Sequence, residues 1–376
     1  MPAAKPPHVA YVLPVLQPAG AERVVAELAT RLPARGFATS VICLEDEREP
    51  IGREIAAKGI GVRGLRTHRR RTWRAAKLLA RALPADRPLI VHAHLFHANL
   101  AARLAAARLP TEQRRRVVVL STIQVVERRF RPWQFWLDRL TAKHCRAEVC
   151  VSRAVATFQQ ARTGLPPSFF PVIESGIDLA RYFPDDRAAP MTHRAAAPRI
   201  LSVGRLNVQK DYATLLRAWA IVQRRVPGAT LTIAGDGPER ARLDALRQSL
   251  GLAAVTFPGF STDVAALMRA ADVYAQSSAW EGFGLTVAEA MATALPTVVT
   301  DVDSLPELVT HGRTGLVVPR ASPRAMADAL IALLTDPPRA RALGQAARAE
   351  AVDRFSVDRM VDGYAALYRE VLRDLA

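Results

Sequence analysis

Two glutamates, Glu281 and Glu289, flank seven residues that open Gly282-Phe283-Gly284-Leu285. Glycines let a backbone come close to a ligand, and the amides of a helix start point outward with partial positive charge. A glycine-rich turn running into a helix is therefore a seat for an anion. Glu281, in the turn, is placed to accept hydrogen bonds from hydroxyl groups. Glu289 has two readings. Thr286-Val287-Ala288-Glu289 has the spacing of a capping box, so Glu289 is expected in the helix's first turn, reaching back to its first amide; the other reading is a ligand contact. A second chemical pair is Arg205 and Lys210, six residues apart counting both ends, in Gly204-Arg205-Leu206-Asn207-Val208-Gln209-Lys210-Asp211. The arginine offers a planar fork and the lysine a point charge, a combination suited to phosphate. A third group is His92, His94 and His97, followed in the next strand by Thr122 and Gln124. Of the three histidines, His94 is the one expected to meet a substrate.

Groups so far apart in the chain need strands that end beside one another. Buried-type strands are expected at His8–Leu13, Thr39–Leu44, Leu89–His94 and Arg116–Ser121 in the first half. In the second half they are expected at Arg199–Gly204, from Thr230, at Ala271–Ser277 and at Pro296–Asp301. Helical patterns intervene, which argues for parallel sheets with helices on both faces. In such sheets ligands lie beyond the carboxyl ends of the strands. All the groups above fall there: the histidines at the end of one strand, Arg205 and Lys210 after another, Glu281 after a third. Gln17-Pro18-Ala19-Gly20 follows the first strand, where Gly20 either admits a ligand to the backbone or simply makes a turn. No G-x-G-x-x-G accompanies it, so no dinucleotide is inferred.

The chain has 376 residues, half of them apolar, which implies a globular protein of two domains. No run approaches the ~18 apolar residues of a membrane-spanning helix, and the first strand does not read as a signal peptide. Cys43, Cys145 and Cys150 have no metal-ligand spacing, and the simplest inference is a reducing compartment. The net charge of +17 is unevenly placed: residues 1–190 hold 31 Lys and Arg against 16 Asp and Glu, the remainder 21 against 19. Two stretches carry much of it. One is residues 63–81, with Arg66, His68, Arg69, Arg70, Arg71, Trp73, Arg74 and Lys77. The other is residues 128–139, where Phe130, Trp133, Phe135 and Trp136 interleave with arginines. Arginines beside aromatic rings suit an anionic membrane surface. They also suit stacking on single-stranded nucleic acid, or form a solvated face over a packed helix. No nucleic-acid-binding motif accompanies them, and nucleic acid is not the expected partner.

In order along the chain, Gly20 with Ala21-Glu22-Arg23, Ser175-Gly176-Ile177-Asp178, Gly204 to Asp211, Gly235-Asp236-Gly237-Pro238 and the paired glutamates resemble the motifs of retaining GT-B-fold glycosyltransferases. The family is the large one with an E-x7-E motif, glycosyltransferase family 4 or group 1. Val255 to Phe260 resembles the segment whose backbone meets the nucleotide base. The resemblance implies an α/β protein of GT-B architecture, with two doubly wound Rossmann-like parallel-sheet domains facing a central cleft. It places an acceptor-side domain at 1–185, a linker at 186–198 and a nucleotide-sugar domain at 199–355, with a final helix at 356–376 crossing back to the first domain. It implies a nucleoside diphosphate sugar as donor substrate, UDP favoured over GDP, with no cofactor and no metal. Arg205 and Lys210 would hold the diphosphate and Glu281 the donor sugar. Glu289 would hold the ribose, with Gly204, Gly235, Phe257, Gly282 and the amides of Phe283, Gly284 and Leu285 completing the seat. The acceptor would be a glycan or lipid-linked precursor, and the protein cytoplasmic and peripheral on the inner face of the cell membrane. Two departures stand out: Gln124 occupies the place of a histidine common in the family, and Asp303-Ser304 the place of a common glycine pair. A GT-B-fold nucleotide-sugar isomerase and a catalytically silent sugar-nucleotide-binding scaffold are the alternatives.

Overall fold

The computed structural model describes residues 5–68, 71–84, 87–184 and 197–374. The chain forms two compact units, Met1–Gly176 with Val357–Ala376, and Ile177–Ser356. The first division falls at Gly176, ahead of the expected residue 185. Most of the expected linker, 186–196, lies outside the described residues, as do Arg69 and Arg70.

The first unit is built on β1 (His8–Leu13), β2 (Ala38–Cys43), β3 (Gly61–Gly64), β4 (Leu89–His94), β5 (Val117–Ile123) and β6 (Ala147–Cys150). Their order across the sheet is β3-β2-β1-β4-β5-β6, with every pairing parallel. β1 and β4 read as nearly unbroken apolar runs because helices cover both faces, so residues of either parity are buried. His92 and His94, two apart and so on one face of this central strand, have no exposure, and neither do Val91 and Ala93 on the other face. Helix Phe96–Ala106 follows β4 and packs Ala98, Ala101, Ala102 and Ala105 against the sheet. Small residues there allow close approach of helix to strand. The Val357–Arg373 helix belongs to this unit. Its Tyr368 hydroxyl hydrogen-bonds with His92 Nδ1 (2.6 Å) and with the Tyr11 hydroxyl (3.1 Å), so buried polar atoms are satisfied where the helix meets β1 and β4.

The second unit contains β7 (Arg199–Val203), β8 (Thr230–Ala234), β9 (Val255–Gly259), β10 (Val273–Gln276), β11 (Thr297–Thr300) and β12 (Leu316–Val318). Its order, β12-β11-β10-β7-β8-β9, is also wholly parallel. Read from β9, it repeats the order of the first sheet. Helix Tyr212–Arg225 buries Leu215, Leu216, Trp219 and Val222, the stripe its 3.6-residue period aligns. Each of these side chains stabilises the unit by roughly 1.5–3 kcal/mol through burial. Asp211 starts the helix, its carboxylate accepting from the Thr214 amide (3.4 Å) and hydroxyl (2.7 Å).

Candidate functional site

In each sheet the connections reverse direction between the first and fourth strands, and the crevice at such a reversal is where open α/β sheets bind ligands. In the second unit that place lies between β7 and β10. The loop after β7 carries Gly204 to Asp211, and the loop after β10 carries Ser277 to Gly284.

The strand ends here are glycine-floored. Gly235, after β8, has φ +141°, and a Cβ on it would collide with the Gly204 carbonyl, so only glycine fits both the conformation and the contact. The two loops are then tied together. Ala279 N–H donates to Gln209 O (2.7 Å) and the Ser277 hydroxyl to Lys210 O (2.9 Å). Lys210 Nζ donates to both Glu281 oxygens, at 2.8 and 3.1 Å, and Gln209 Nε2 donates to Glu281 Oε2 at 3.5 Å. The lysine and glutamate side chains are 13% and 8% exposed, so their attraction is little screened by water. Arg205 is exposed, and its guanidinium has no hydrogen-bond or ion-pair partner among the described residues. An ammonium has three donors, and two are engaged by Glu281. The loop thus presents one wholly available cation and one partly committed cation beside a fixed carboxylate.

A third segment braces the Glu281 loop. From the end of β11, the Thr300 hydroxyl donates to Ser278 O (2.7 Å) and the Ser304 hydroxyl to Phe283 O (2.9 Å). Asp303 Oδ2 accepts from Glu281 N–H (3.0 Å). Ser304 stands at the N-cap of the short Leu305–Leu308 helix, but its side chain makes no capping hydrogen bond, although Ser304-Leu305-Pro306-Glu307 has the spacing for one; its hydroxyl donates to Phe283 O instead.

The capping box expected at Thr286–Glu289 is likewise absent. Gly284, at φ +98°, is itself the residue before the Leu285–Ala292 helix. Thr286 therefore lies inside the helix, its hydroxyl hydrogen-bonded with Tyr274 (2.8 Å), and Glu289 stands half-buried in the second turn rather than the first. Gly282, Phe283 and Gly284 are buried at the helix start, with Leu285 half-buried. Phe257, in β9, lies under the Arg240 guanidinium (5.2 Å), which also donates to its carbonyl (3.1 Å).

The corresponding place in the first unit lies between β1 and β4. Gly20 is exposed at the start of helix Gly20–Arg31. His94 is fully buried; its Nδ1 accepts from Gln124 Nε2 (3.1 Å), which leaves the proton on Nε2, and that atom has no hydrogen-bond partner among the described residues. Burial pushes its pKa down to about 3, so the ring is neutral at physiological pH. His92 is held below its ordinary value by burial and hydrogen-bonds with Thr122 Oγ1 (2.7 Å). Leu95, directly after His94, has φ +71° and ψ 149°, a conformation few residues other than glycine adopt. Near Gln124, burial raises Glu127 to about 7. His97 is half-buried on the helix that follows.

The basic stretches lie on this unit. Helix Pro132–Thr141 buries Phe135, Asp138 and Thr141 and exposes Trp133 (53%), Trp136 (59%) and Leu140 (49%), with Arg131 and Arg139 also exposed. Its inner face is fixed by a buried network that the sequence reading missed. Arg103, with no exposure, donates to Asp138 Oδ1 (2.6 Å), Thr141 Oγ1 (3.3 Å), Ser121 Oγ (3.1 Å) and Glu148, while Gln159 donates to Asp138 (3.1 Å). Burial raises Glu148 to about 7 against the pull of Arg103. On the other stretch Arg66, His68, Arg71, Trp73, Arg74 and Lys77 are exposed, and Arg108 stacks over Trp73 (4.6 Å). No described helix is long and apolar enough to cross a membrane.

Family models match both halves: Glycosyltransferase Family 4 over residues 18–181 and Glycosyl transferases group 1 over 189–350. Among curated relatives, the D-inositol 3-phosphate glycosyltransferase of Rhodococcus jostii is 36% identical over 219 residues, covering 55% of this chain and 48% of the relative. The glycogen synthase of Mycobacterium tuberculosis is 34% identical over 200 residues, 52% of this chain and 47% of the relative. The chain thus spans about half the length of these relatives. Among solved structures, Anabaena Alr3699/HepE in complex with UDP and glucose superposes with a TM-score of 0.83 at 21% identity, over 96% of this chain and 99% of that one. Sucrose-phosphate synthase from Thermosynechococcus elongatus does so at 0.82 and 21%, over 98% and 100%. These likenesses show the fold. With both family models matched in order along nearly the whole chain, and two parallel sheets of the same strand order beneath them, the chain belongs to the group 1, family 4 glycosyltransferases of GT-B fold.

Proposed function

We propose that the protein transfers a hexosyl or N-acetylhexosaminyl unit from a UDP- or GDP-sugar, UDP favoured, to a glycan or lipid-linked acceptor, with retention at the anomeric carbon. The observation that carries this reading is the meeting of Lys210 Nζ and Glu281 at 2.8 Å beside an exposed Arg205, at the strand reversal of the second sheet. Arg205 and the remaining Lys210 donor would neutralise the leaving diphosphate, where negative charge grows in the transition state. This is the role the reading gives them in place of a metal ion. Glu281, already oriented, would hold donor hydroxyls; Glu289 would reach the ribose. The amides of Phe283, Gly284 and Leu285 would add the helix-start field. The solved relative in complex with UDP and glucose supports the choice of donor class. Retention comes from the family alone.

The acceptor side rests on the outward face of helix Pro132–Thr141. Trp133, Trp136 and Leu140 follow at spacings of three and four, so they share one face, with Arg131 and Arg139 beside it. Indole rings settle at headgroup depth and guanidinium groups meet lipid phosphate, so this face fits an anionic bilayer surface carrying a lipid-linked acceptor. On this reading the protein works peripherally on the cytoplasmic face of the cell membrane.

A panel of UDP- and GDP-sugars assayed with wild type, Lys210→Ala and Glu281→Ala tests the donor site. Turnover of one donor, lost in both variants, is the expected result; unimpaired transfer by both would reject the assignment.

A further inference from the structure

We propose that Asp303 is a positioning residue that fixes Glu281 for the donor. Its consequence for catalysis rests on the glycosyl-transfer reading above; its geometry does not. Asp303 has φ +43°, in the left-handed region. A side chain there is disfavoured, glycine is free, and Asp and Asn are the residues that tolerate it best. A turn that needed only to reverse direction would be served by glycine. Here the strained position carries a carboxylate, and that carboxylate accepts the Glu281 backbone N–H at 3.0 Å. The peptide so held bears the side chain that meets Lys210 Nζ at 2.8 and 3.1 Å. Thr300 and Ser304, on either side of Asp303, donate to Ser278 O and Phe283 O, on either side of Glu281. One turn therefore supplies donors for two carbonyls and an acceptor for the amide between them. Glu281 lies only 6% exposed between this turn and the Lys210 loop. A carboxylate pinned both at its main chain and at its oxygens presents one orientation to a donor sugar. Freed at the main chain, it would still pair with Lys210 but through several orientations, most of them unproductive.

The test compares Asp303→Asn with Asp303→Gly in the full chain. Asn accepts the left-handed conformation and offers Oδ1 to the Glu281 amide; Gly accepts the conformation and offers nothing. Two readouts are taken: hydrogen exchange at the Glu281 amide, and kcat and KM for whichever UDP- or GDP-sugar wild type uses. In Asp303→Gly the amide is expected to exchange about tenfold faster and kcat to fall about tenfold, with KM and the thermal midpoint little moved. Asp303→Asn is expected to restore most of both. If Gly equals or exceeds Asn in exchange protection and in kcat, Asp303 serves the turn conformation alone and the proposal is overturned. If wild type turns over no nucleotide sugar, the functional reading falls, and the exchange ranking of the two variants then decides the Asp303 assignment by itself.

Discussion

The strand reversals of the two sheets lie in the same topological place, yet they hold charge in opposite ways. In the second unit the ion pair stands at the reversal itself, Lys210 on Glu281, with Arg205 exposed in the same loop. In the first unit the reversal is lined by neutral groups, His92, His94 and Gln124. That unit's buried ion network, Arg103 with Asp138 and Glu148, instead ties helix Pro132–Thr141 to the β6 side of the sheet. A carboxylate and two cations beside a strand end can engage a phosphate and its sugar; a neutral, buried imidazole offers a hydrogen bond without attracting an anion. One topology thus carries a charged loop pair at one reversal and neutral, hydrogen-bonded groups at the other. The difference lies in which side chains follow the strands, not in the sheet.

The contrast breaks most visibly if the first unit's charges prove dispensable. Arg103→Met leaves Asp138 and Glu148 buried without their cation, and should cost about 3–5 kcal/mol in equilibrium denaturation. A loss below 1 kcal/mol would mean that the network is not what holds helix Pro132–Thr141. Next comes the charged site. Lys210→Ala should lower kcat about 100- to 1000-fold, the effect of removing one donor to developing transition-state charge. His94→Gln, in steady-state assays at neutral pH, should be far milder, and a loss as large as that of Lys210→Ala would erase the distinction between the two places.

The third prediction concerns pH. His94 titrates at about 3 when folded and near 6.5 when unfolded, so below pH 6.5 the unfolded chain binds the extra proton and stability falls as pH falls. Glu22 and Glu127, raised to about 7 by burial, work the other way between about 7 and 4.5, gaining stability as pH falls. Subtracting the denaturation curve of His94→Gln from that of wild type removes these shared contributions. The difference should change by about 1.4 kcal/mol per pH unit below 6.5; a flat difference would show that His94 is hydrated or charged in the fold. The smallest effect is expected at the surface. Trp133→Ala with Trp136→Ala should weaken flotation with anionic vesicles severalfold while transfer to a soluble acceptor stays near wild type. Equal flotation with neutral and anionic vesicles would remove the electrostatic part of that reading.

Much of this fold was legible because parallel strands covered on both faces must be apolar throughout. The central strands β1, β4, β7 and β10 announced themselves in that way. The four strands that escaped, Gly61–Gly64, Ala147–Cys150, Val255–Gly259 and Leu316–Val318, all lie at sheet edges and are five residues or fewer. An edge strand is paired along one side only, so a short segment such as Gly-Val-Arg-Gly can complete a sheet without an apolar run. Arg205, Lys210 and Glu281 stood out in the sequence as cations and acid beside glycine turns at strand ends, and the structure brings Lys210 and Glu281 together. Glu289 was misplaced by one helical turn, because Thr286-Val287-Ala288-Glu289 satisfies the capping pattern and only the left-handed Gly284 shows that the helix has already begun.

The sequence by itself determined the class of fold, the strand ends at which chemistry would gather and the residue types gathered there. These follow from period, glycine placement and charge, which are local properties of a chain. Tertiary structure decided the rest. It paired Lys210 with Glu281 across 71 positions, sealed His94 from water with its Nδ1 on Gln124, and set the Asp303 carboxylate on the Glu281 amide. Each depends on which loop ends lie within hydrogen-bonding distance after the sheet has formed, and no spacing along the chain encodes that distance.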